Sequence, residues 1–392
     1  MNFRVSKRSR IFILVGLGVL ALAFILTTRI NFKGHYEGLF LLKGKEGALF
    51  ELKDDLFLGD GSRLILALDV DGPRERLMRF FSHKEQKRPY LYYEWDSSDG
   101  TGFVRNYLPG GCELLTCFGR FIDDGGKEVQ GLFVGGGLPS NVHGDDEVAM
   151  DETGMAYNDG KRWYHIWCTS NEGLASARTR QPCFPSSWKF LGSSILNEGN
   201  RKLAIRSSHE AMVDGVPLRV DRYAYFRAGK TFFKLSIWIK NTGDRPVSIY
   251  YVYGDEPWLG DYGTSAGNVG WVKDGVVRNV SAVDTDKYTF AGMFDFGNEL
   301  IGEKHNYTGV ADFLEWLGND KPFVYFSNSP TEYVVKGTIG PPLNGESRYI
   351  GLQWGPKTLA PGEKVNYMMA IGMAGSDPKT GFPVKPDVTP PK

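Results

Sequence analysis

The chain lacks the signals that assign many proteins to a functional class directly. Its 46 basic and 46 acidic residues cancel, which argues against a nucleic-acid partner. Its four cysteines form neither a C-x-x-C pair nor a C-x-x-C-H motif, so thioredoxin-like redox chemistry and covalent haem attachment are excluded. Helical periodicity is scarce, and no repeat of propeller-like length is present. Function therefore has to be inferred from individual segments.

Glycine and aromatic residues, by contrast, are abundant. Glycine accounts for 49 of the 392 residues, well above the roughly 7% that is usual, and 14% of the chain is aromatic. A hydrophobic fraction of 42% beside 23% charged residues supplies enough apolar surface for a core. This composition excludes an intrinsically disordered chain.

The N-terminal segment predicts a membrane anchor. Ile11–Thr28 is an uncharged, mostly apolar run of 18 residues, just long enough to span a bilayer as a helix. Four basic residues precede it and two follow closely, so the positive-inside rule places the N-terminus in the cytoplasm and the body in the periplasm or outside the cell. A cleaved signal peptide is the alternative, since Ala21-Leu22-Ala23 resembles a cleavage site. Both interpretations export the body.

The expected organisation has three parts. Residues 1–33 form a basic stub and anchor, 34–374 form the body, as one oversized sandwich or two ordinary domains, and 375–392 form a Pro-rich tail that we expect to be extended and poorly ordered. The first 33 residues hold six basic and no acidic side chains, so the rest of the chain carries 40 basic and 46 acidic ones. The exported body is therefore mildly acidic.

Export favours disulfide bonds among the four cysteines. Cys168 and Cys183 flank a polar, Gly- and Pro-containing stretch of 14 residues that closes easily, and they form the predicted bridge. Cys112 and Cys117 would be about 16 Å apart in a straight strand, whereas a disulfide needs Cα atoms closer than about 7 Å. They pair only if a turn intervenes, and buried free thiols are the alternative.

Short β-rich runs separated by turn signals predict an all-β body. Around Ala228-Gly229-Lys230 two runs alternate between apolar and wetter positions, which predicts a hairpin with one core face and one wetter face. The wetter positions are Asp221, Tyr223, Tyr225, Lys234, Ser236, Trp238 and Lys240. Other predicted strands are Leu64–Val70, Tyr90–Trp95, Trp163–Cys168, Val247–Tyr253, Phe323–Phe326, Tyr349–Trp354 and Val365–Ile371. The two helical candidates are Arg74–Phe81 and Val310–Leu317. Together these features predict a large antiparallel β-sandwich with one or two short helices.

Three segments of the second half carry a family resemblance. They run from Leu203 through His209-Glu210 to Asp214-Gly215, along the hairpin ending at Lys240–Gly243, and from Leu359–Lys364 into Tyr367–Met373. Together, over roughly residues 200–373, they resemble the galactose-mutarotase-like β-supersandwich of carbohydrate-active proteins. The resemblance implies a supersandwich fold and a sugar ligand. Where the mutarotases place a His-x-Tyr-Phe segment this chain has Tyr253–Glu256, so the family's catalytic histidine is not carried over.

The segment between Tyr250 and Trp271 concentrates residues suited to a sugar site. Flat aromatic rings stack on the apolar faces of sugars, carboxylates accept hydrogen bonds from hydroxyls, and glycines permit close approach. The predicted binding residues are Tyr253, Trp258, Tyr262 and Trp271. The candidate catalytic carboxylates are Asp255, Glu256 and Asp261. The alternative is a structural loop whose aromatic residues cover the end of the sandwich.

Acid–base catalysis would need two carboxylates about 5–10 Å apart across a bound sugar. Adjacent Asp255 and Glu256 point in opposite directions if extended, so Asp255 with Asp261, or either with a distant residue, is the expected pair. His209-Glu210 is a further candidate, as a base with an orienting carboxylate, although a hydrogen-bonded turn histidine is the preferred interpretation. No cofactor and no metal site are expected.

Three classes of function remain at this stage. The first is a membrane-anchored protein that binds carbohydrate at the cell envelope. The second is a carbohydrate-active epimerase, lyase or hydrolase that uses the carboxylates of residues 253–271. The third is a structural or assembly protein of the envelope. An exposed aromatic platform would favour the first two, and burial of those rings would favour the third.

Overall fold

The computed structural model describes residues 89–388, apart from 99, 109–111, 119, 123–127, 131–153, 159–162, 180–187, 198–200, 261–267, 296–310, 330–331, 333, 344–347 and 378. The predicted anchor in residues 1–33, the predicted strand Leu64–Val70 and the helical candidate Arg74–Phe81 lie outside these ranges. Among the described residues, no helix is long and apolar enough to cross a membrane.

The described part of the chain is all-β, as the sequence predicts, and its strands number 22. They are β1 (Tyr90–Asp96), β2 (Thr101–Tyr107), β3 (Glu113–Phe118), β4 (Arg120–Ile122), β5 (Glu128–Gln130), β6 (Gly154–Asn158), β7 (Trp163–Ser176), β8 (Lys189–Asn197), β9 (Lys202–Val213), β10 (Val216–Arg227), β11 (Phe232–Asn241), β12 (Val247–Gly260), β13 (Asn268–Val272), β14 (Gly275–Val277), β15 (Asn279–Val283), β16 (Phe290–Asp295), β17 (Ala311–Leu317), β18 (Phe323–Ser327), β19 (Ile339–Pro342), β20 (Tyr349–Leu359), β21 (Lys364–Ser376) and β22 (Pro383–Val384).

Two large antiparallel sheets dominate the fold. The first sheet has the order β1-β2-β3-β6-β7-β12-β20-β18-β15-β19. The second has the order β14-β13-β16-β17-β21-β11-β10-β9-β8, with β22 paired to β21. A small separate ribbon joins β4 and β5. Residues of both sheets share one continuous hydrophobic core, so the interior lies between the two sheets.

The hairpin β10–β11 confirms the predicted alternation. Val220 pairs with Ile239 and Ala224 with Leu235, and all four side chains are buried in the core between the sheets. The intervening positions face the opposite side of the second sheet, which we call the outer face. The three segments that carry the family resemblance form β9, β10, β11 and the β20–β21 region, and β9-β10-β11-β21 are adjacent strands of this sheet.

The helical prediction for Val310–Leu317 is wrong, because Ala311–Leu317 forms β17. This strand lies between β16 and β21, and most of its side chains are buried on both faces of the sheet. The sequence of a strand covered on both faces is an almost continuous apolar run. Such a run lacks the alternation of apolar and polar residues, so it can be mistaken for two turns of helix.

The Pro-rich tail packs on the body. Residues 383–384 pair with the end of β21, and Phe382 and Val388 cover a second apolar cluster on the outer face, built around Trp271, Phe294 and Phe313. Lys385 forms an ion pair with Glu315 at 2.5 Å. The chain turns between Asp377 and Phe382, and residues 382–388 are held in place by apolar burial and this ion pair.

Cys112 is a free thiol, so the alternative bridge to Cys117 is not formed. The physical reason is the strand geometry, since Cys112 directly precedes β3 and Cys117 lies near its far end, with no turn between them. Cys183 and the side chain of Cys168 lie outside the described residues, and the bridge between them stays a prediction.

Candidate functional site

The segment expected to form a sugar-binding loop is largely a strand. β12 continues through Gly260 and lies between β7 and β20 in the middle of the first sheet. Tyr253 and Asp255 are therefore buried, at 1% and 0% exposure, and Glu256 is half-buried. Asp261, Tyr262 and the side chain of Trp258 lie outside the described residues.

Trp271 is a core residue rather than an exposed stacking platform. It is 1% exposed, its Nε1 donates a hydrogen bond to the Asp312 carbonyl at 3.1 Å, and its ring packs against Phe290 and Phe382. The prediction of an open platform fails for Trp271 and Tyr253 because neighbouring strands and the tail cover them. Their burial favours a structural role for these two rings. Sequence proximity could not reveal that covering.

His209 and Glu210 do not form a base–carboxylate pair. They are neighbours in β9, so their side chains point to opposite faces of the sheet: His209 is fully buried and Glu210 is half-exposed on the outer face. The partner of His209 is Arg222, whose Nη2 lies 3.0 Å from Nε2 and 3.1 Å from Nδ1 of the imidazole. Trp188 and Phe190 contact the imidazole edge-on.

Arg222 links this histidine to a buried carboxylate of the first sheet. Its Nη1 forms a short ion pair with Glu172, and both side chains are almost completely buried. Tyr251 donates a hydrogen bond to the other oxygen of Glu172 at 3.0 Å. Burial raises the pKa of Glu172, while the charge of Arg222 and the two hydrogen bonds oppose that rise. The group is an interior network that ties the two sheets together, and within it the buried Nε of Arg222 has no hydrogen-bond partner.

The structure brings Asp255 close to a distant carboxylate, Asp312. Asp255 alternates with core residues of β12 and Asp312 with core residues of β17, so both face the interior from opposite sheets. Burial raises the pKa of Asp312 well above its ordinary value, and the charge of Asp255 raises it further. The Met293 amide donates to Oδ1 of Asp312, which opposes the rise in the pKa, and Oδ2 has no hydrogen-bond partner. Two such carboxylates favour a protonated acid beside a charged base.

A different group of chemically active side chains lies on the outer face. At the centre of β10 and β11, Tyr223, Tyr225 and Trp238 form what we call the aromatic patch. The rings of Tyr223 and Tyr225 are nearly parallel, with centroids 6.2 Å apart and planes 8° apart, and Tyr225 is 41% exposed. Trp238 is half-exposed, and the Lys364 ammonium lies 4.6 Å from its ring centroid.

Hydrogen-bonding side chains surround the aromatic patch. Arg219 binds Asp221 through Nε and Nη2 at 3.1–3.2 Å, and the Ser208 hydroxyl donates to the same carboxylate at 2.5 Å. Asn366 donates to the Ser236 hydroxyl at 2.7 Å. The cross-strand pairs Asp221↔Trp238 and Trp238↔Asn366 place these groups directly beside the indole ring. The outer face therefore carries the exposed ring of Tyr225 and the partly exposed rings of Tyr223 and Trp238 beside polar groups, of which the Ser208 and Ser236 hydroxyls are themselves buried.

The pKa of Tyr225 is raised, first by partial burial and then by the neighbouring Tyr223. Its hydroxyl therefore stays protonated at neutral pH and can donate a hydrogen bond. The sequence pattern had already placed all three rings at wetter positions of the hairpin. The overlooked signal was that three solvent-side positions of a hairpin are aromatic, where charged or small polar residues are usual.

A shallow cleft elsewhere is a weaker candidate. It has a volume of about 430 Å³ and lies beside β13, β14 and β15, with Asp274, Lys287 and Tyr288 at its rim. Lys287 pairs with Asp274 at 3.2 Å, and the Tyr288 hydroxyl donates to the same carboxylate at 2.7 Å. These polar groups satisfy one another, and the cleft has a single aromatic ring, so it lacks a stacking platform.

No protein-family model matches the chain, and no curated protein matches it in sequence. In structure it is similar to a galactose mutarotase-like protein from Clostridium acetobutylicum, with 10% identity and a TM-score of 0.36 over 74% of this chain and 100% of that one. A GalM/aldose epimerase homologue from C. elegans is 11% identical, with a TM-score of 0.34 over 71% of this chain and 100% of that one.

A GH36 α-galactosidase from Geobacillus stearothermophilus is 7% identical, with a TM-score of 0.36 over 73% of this chain. The match spans 40% of that enzyme's length. The predicted resemblance to galactose-mutarotase-like proteins is confirmed by these matches.

Proposed function

We propose that this protein binds carbohydrate through the outer face of its second sheet. The observation that carries the proposal is the aromatic patch, Tyr223, Tyr225 and Trp238, set in an open sheet surface among hydrogen-bonding side chains. Aromatic faces accept the apolar faces of sugar rings, and the polar groups beside them accept or donate hydrogen bonds to hydroxyls.

The dimensions of the patch suit a glycan chain. Tyr225 pairs with Lys234, and Trp238 lies four residues further along β11. With about 3.3 Å per residue along a strand and about 4.8 Å between strands, the Cα atoms of the two residues are about 14 Å apart. An extended surface of this kind fits several consecutive sugar units better than one enclosed monosaccharide.

The proposed setting is the cell envelope. The uncharged run Ile11–Thr28 and the basic residues before it support an N-terminal helix in the membrane, with the body in the periplasm or outside the cell. A reporter fused after Lys392 tests this topology. Activity of a reporter that works only in the cytoplasm would refute it.

The binding proposal is tested with the full-length protein in detergent on a glycan array, followed by calorimetric titration of the glycans it retains. Replacing Tyr225 or Trp238 with alanine should weaken binding by about 1–3 kcal/mol each, by analogy with stacking of bases on aromatic rings. Tyr288→Ala is the matched control, since it removes a partly exposed tyrosine from the other cleft. Retention of no glycan, or equal affinity for all four proteins, would overturn the proposal.

A further inference from the structure

The outer face carries an excess of basic side chains. On β9, β10, β11, β17 and β21, the basic residues at outer positions are Lys202, Arg206, Arg219, Arg227, Lys234, Lys240 and Lys364. The acidic residues at outer positions of the same strands are Glu210, Asp221 and Glu315. This balance contrasts with the chain after residue 33, which has more acidic than basic residues.

Each of the three acidic groups already has a basic partner. Asp221 pairs with Arg219 at 3.1 Å, and Glu315 pairs with Lys385 of the tail at 2.5 Å. Glu210 pairs with Lys189 of β8 at 4.0 Å. Basic side chains at the outer positions of these strands therefore outnumber acidic ones by seven to three.

Two of those basic side chains lie directly beside the aromatic patch. Arg206 is the cross-strand partner of Tyr223, and Lys234 is the cross-strand partner of Tyr225. Directly opposite residues in antiparallel strands have Cβ atoms about 4.5–5.5 Å apart, so a ligand stacked on the tyrosines would contact both cations. Arg227 extends the basic row along β10, and Lys202 lies opposite it on β9.

The surroundings of Lys234 show how closely these charges are grouped. Burial lowers its pKa, the charge of Glu315 opposes that change, and the charges of Lys230 and Arg227 lower the pKa further. Like charges held together in this way are relieved when an anion binds between them. The face is therefore arranged to attract negative charge at the position where the rings would hold a sugar.

We propose that the glycan bound by the outer face is acidic, bearing carboxylate, sulfate or phosphate groups. This inference rests on the proposed function, since it specifies the ligand class of the same surface. Arg206 and Lys234 would bind the acidic substituents, while Tyr223 and Tyr225 stack on the sugar rings. The basic side chains would favour acidic ligands over neutral ones, and stacking on the tyrosines would favour a glycan over an anionic surface without sugar rings.

The test compares matched ligands on the full-length protein in detergent. An array presents alginate, hyaluronan, heparan sulfate and oligogalacturonate beside neutral dextran, xylan, galactan and chitin oligomers. Oligogalacturonate and its full methyl ester then form a pair that differs only in charge. We expect retention of acidic glycans, at least tenfold weaker binding of their neutralised forms, and an affinity that falls as salt rises from 50 to 300 mM.

Variants separate this inference from the proposed function. Arg206→Gln and Lys234→Gln should each weaken binding of the acidic glycan several-fold, with unchanged affinity for a neutral one. Lys321→Gln, which removes an exposed lysine that pairs with Asp286, is the matched control and should bind as wild type. Tyr225→Ala should weaken binding of both ligand types.

The outcomes are distinguishable. Equal affinity for charged and neutralised forms overturns the inference and leaves carbohydrate binding intact. Retention of neutral glycans alone also overturns the inference and leaves carbohydrate binding intact. Retention of no glycan overturns both, as does tighter binding to single-stranded oligonucleotides or to phosphatidylserine vesicles than to every acidic glycan.

Discussion

The buried ion pair between Arg222 and Glu172 predicts a large and specific loss of stability. In Arg222→Met the Glu172 carboxylate remains in the interior with Tyr251 as its hydrogen-bond donor, and it loses its cation. The Arg222 and Glu172 side chains are 3% and 4% exposed, so water cannot replace the missing charge. Removing one partner of a buried pair typically costs about 3–5 kcal/mol, a large part of the roughly 5–15 kcal/mol that stabilises a domain.

The expected loss depends on pH in a defined direction. Burial already raises the pKa of Glu172, and Arg222 is the largest influence that lowers it, so the pKa rises further in Arg222→Met. A carboxyl group whose pKa is raised in the folded state stabilises the protein at low pH, and that contribution disappears as the pH rises. The free energy of unfolding of the variant should therefore be closest to the wild-type value near pH 5 and furthest below it near pH 8.

The assay is urea unfolding followed by tryptophan fluorescence, with the free energy of unfolding extrapolated to water at both pH values. Two controls accompany Arg222→Met. The double variant Glu172→Gln/Arg222→Met removes the stranded charge and should recover much of the loss. Lys321→Met breaks an exposed pair with Asp286, whose side chains are 51% and 78% exposed, and should cost under about 1 kcal/mol. Equal losses for the buried and exposed pairs, or a double variant as unstable as the single one, would refute the reasoning.

Two further predictions concern other buried positions. Asp312→Asn should raise the free energy of unfolding at pH 8 and flatten its decline above about pH 4, because burial and the charge of Asp255 raise the pKa of Asp312. Urea unfolding measures this gain, and the exposed control Asp286→Asn should show none. If Asp312→Asn lost the same free energy of unfolding at every pH, that result would contradict this account. Gly254→Ala places a Cβ 1.8 Å from the Tyr349 hydroxyl oxygen and should lower the free energy of unfolding by at least about 1–3 kcal/mol. A Cβ at Gly275 would have no atom within 4 Å, so Gly275→Ala should leave the melting temperature nearly unchanged. Similar melting temperatures for both glycine variants would show that the tyrosine moves away without cost.

Local patterns were enough to predict the sandwich class and several strands. The alternation on either side of Ala228-Gly229-Lys230 was correct because β10 and β11 bury one face and leave the other wetter. Val310–Leu317 was misassigned because β17 is covered on both sides and loses the period-2 pattern. Periodicity therefore identifies a strand only where its two faces have different surroundings.

The candidate site was less predictable than the fold. The sugar site predicted in residues 250–271 rested on their composition. In the structure, neighbouring strands and the tail cover Tyr253 and Trp271. His209 and Glu210 are adjacent in sequence but lie on opposite faces of β9. Composition identifies chemically capable residues, but it does not show which of them water or a ligand can reach.

The sequence by itself determined the class of fold, the acidic body and the division of the β10–β11 hairpin into two faces, because these depend on composition and on contacts between residues close along the chain. Only the tertiary structure decided which charged groups interact and which rings remain open. The charge of Asp255 acts on Asp312, and Glu172 pairs with Arg222, across the space between two sheets. Arg206 lies opposite Tyr223 on the neighbouring strand, and Phe382 of the tail packs on Trp271. Each of these outcomes depends on how strands distant in sequence pair and pack, which no local pattern specifies.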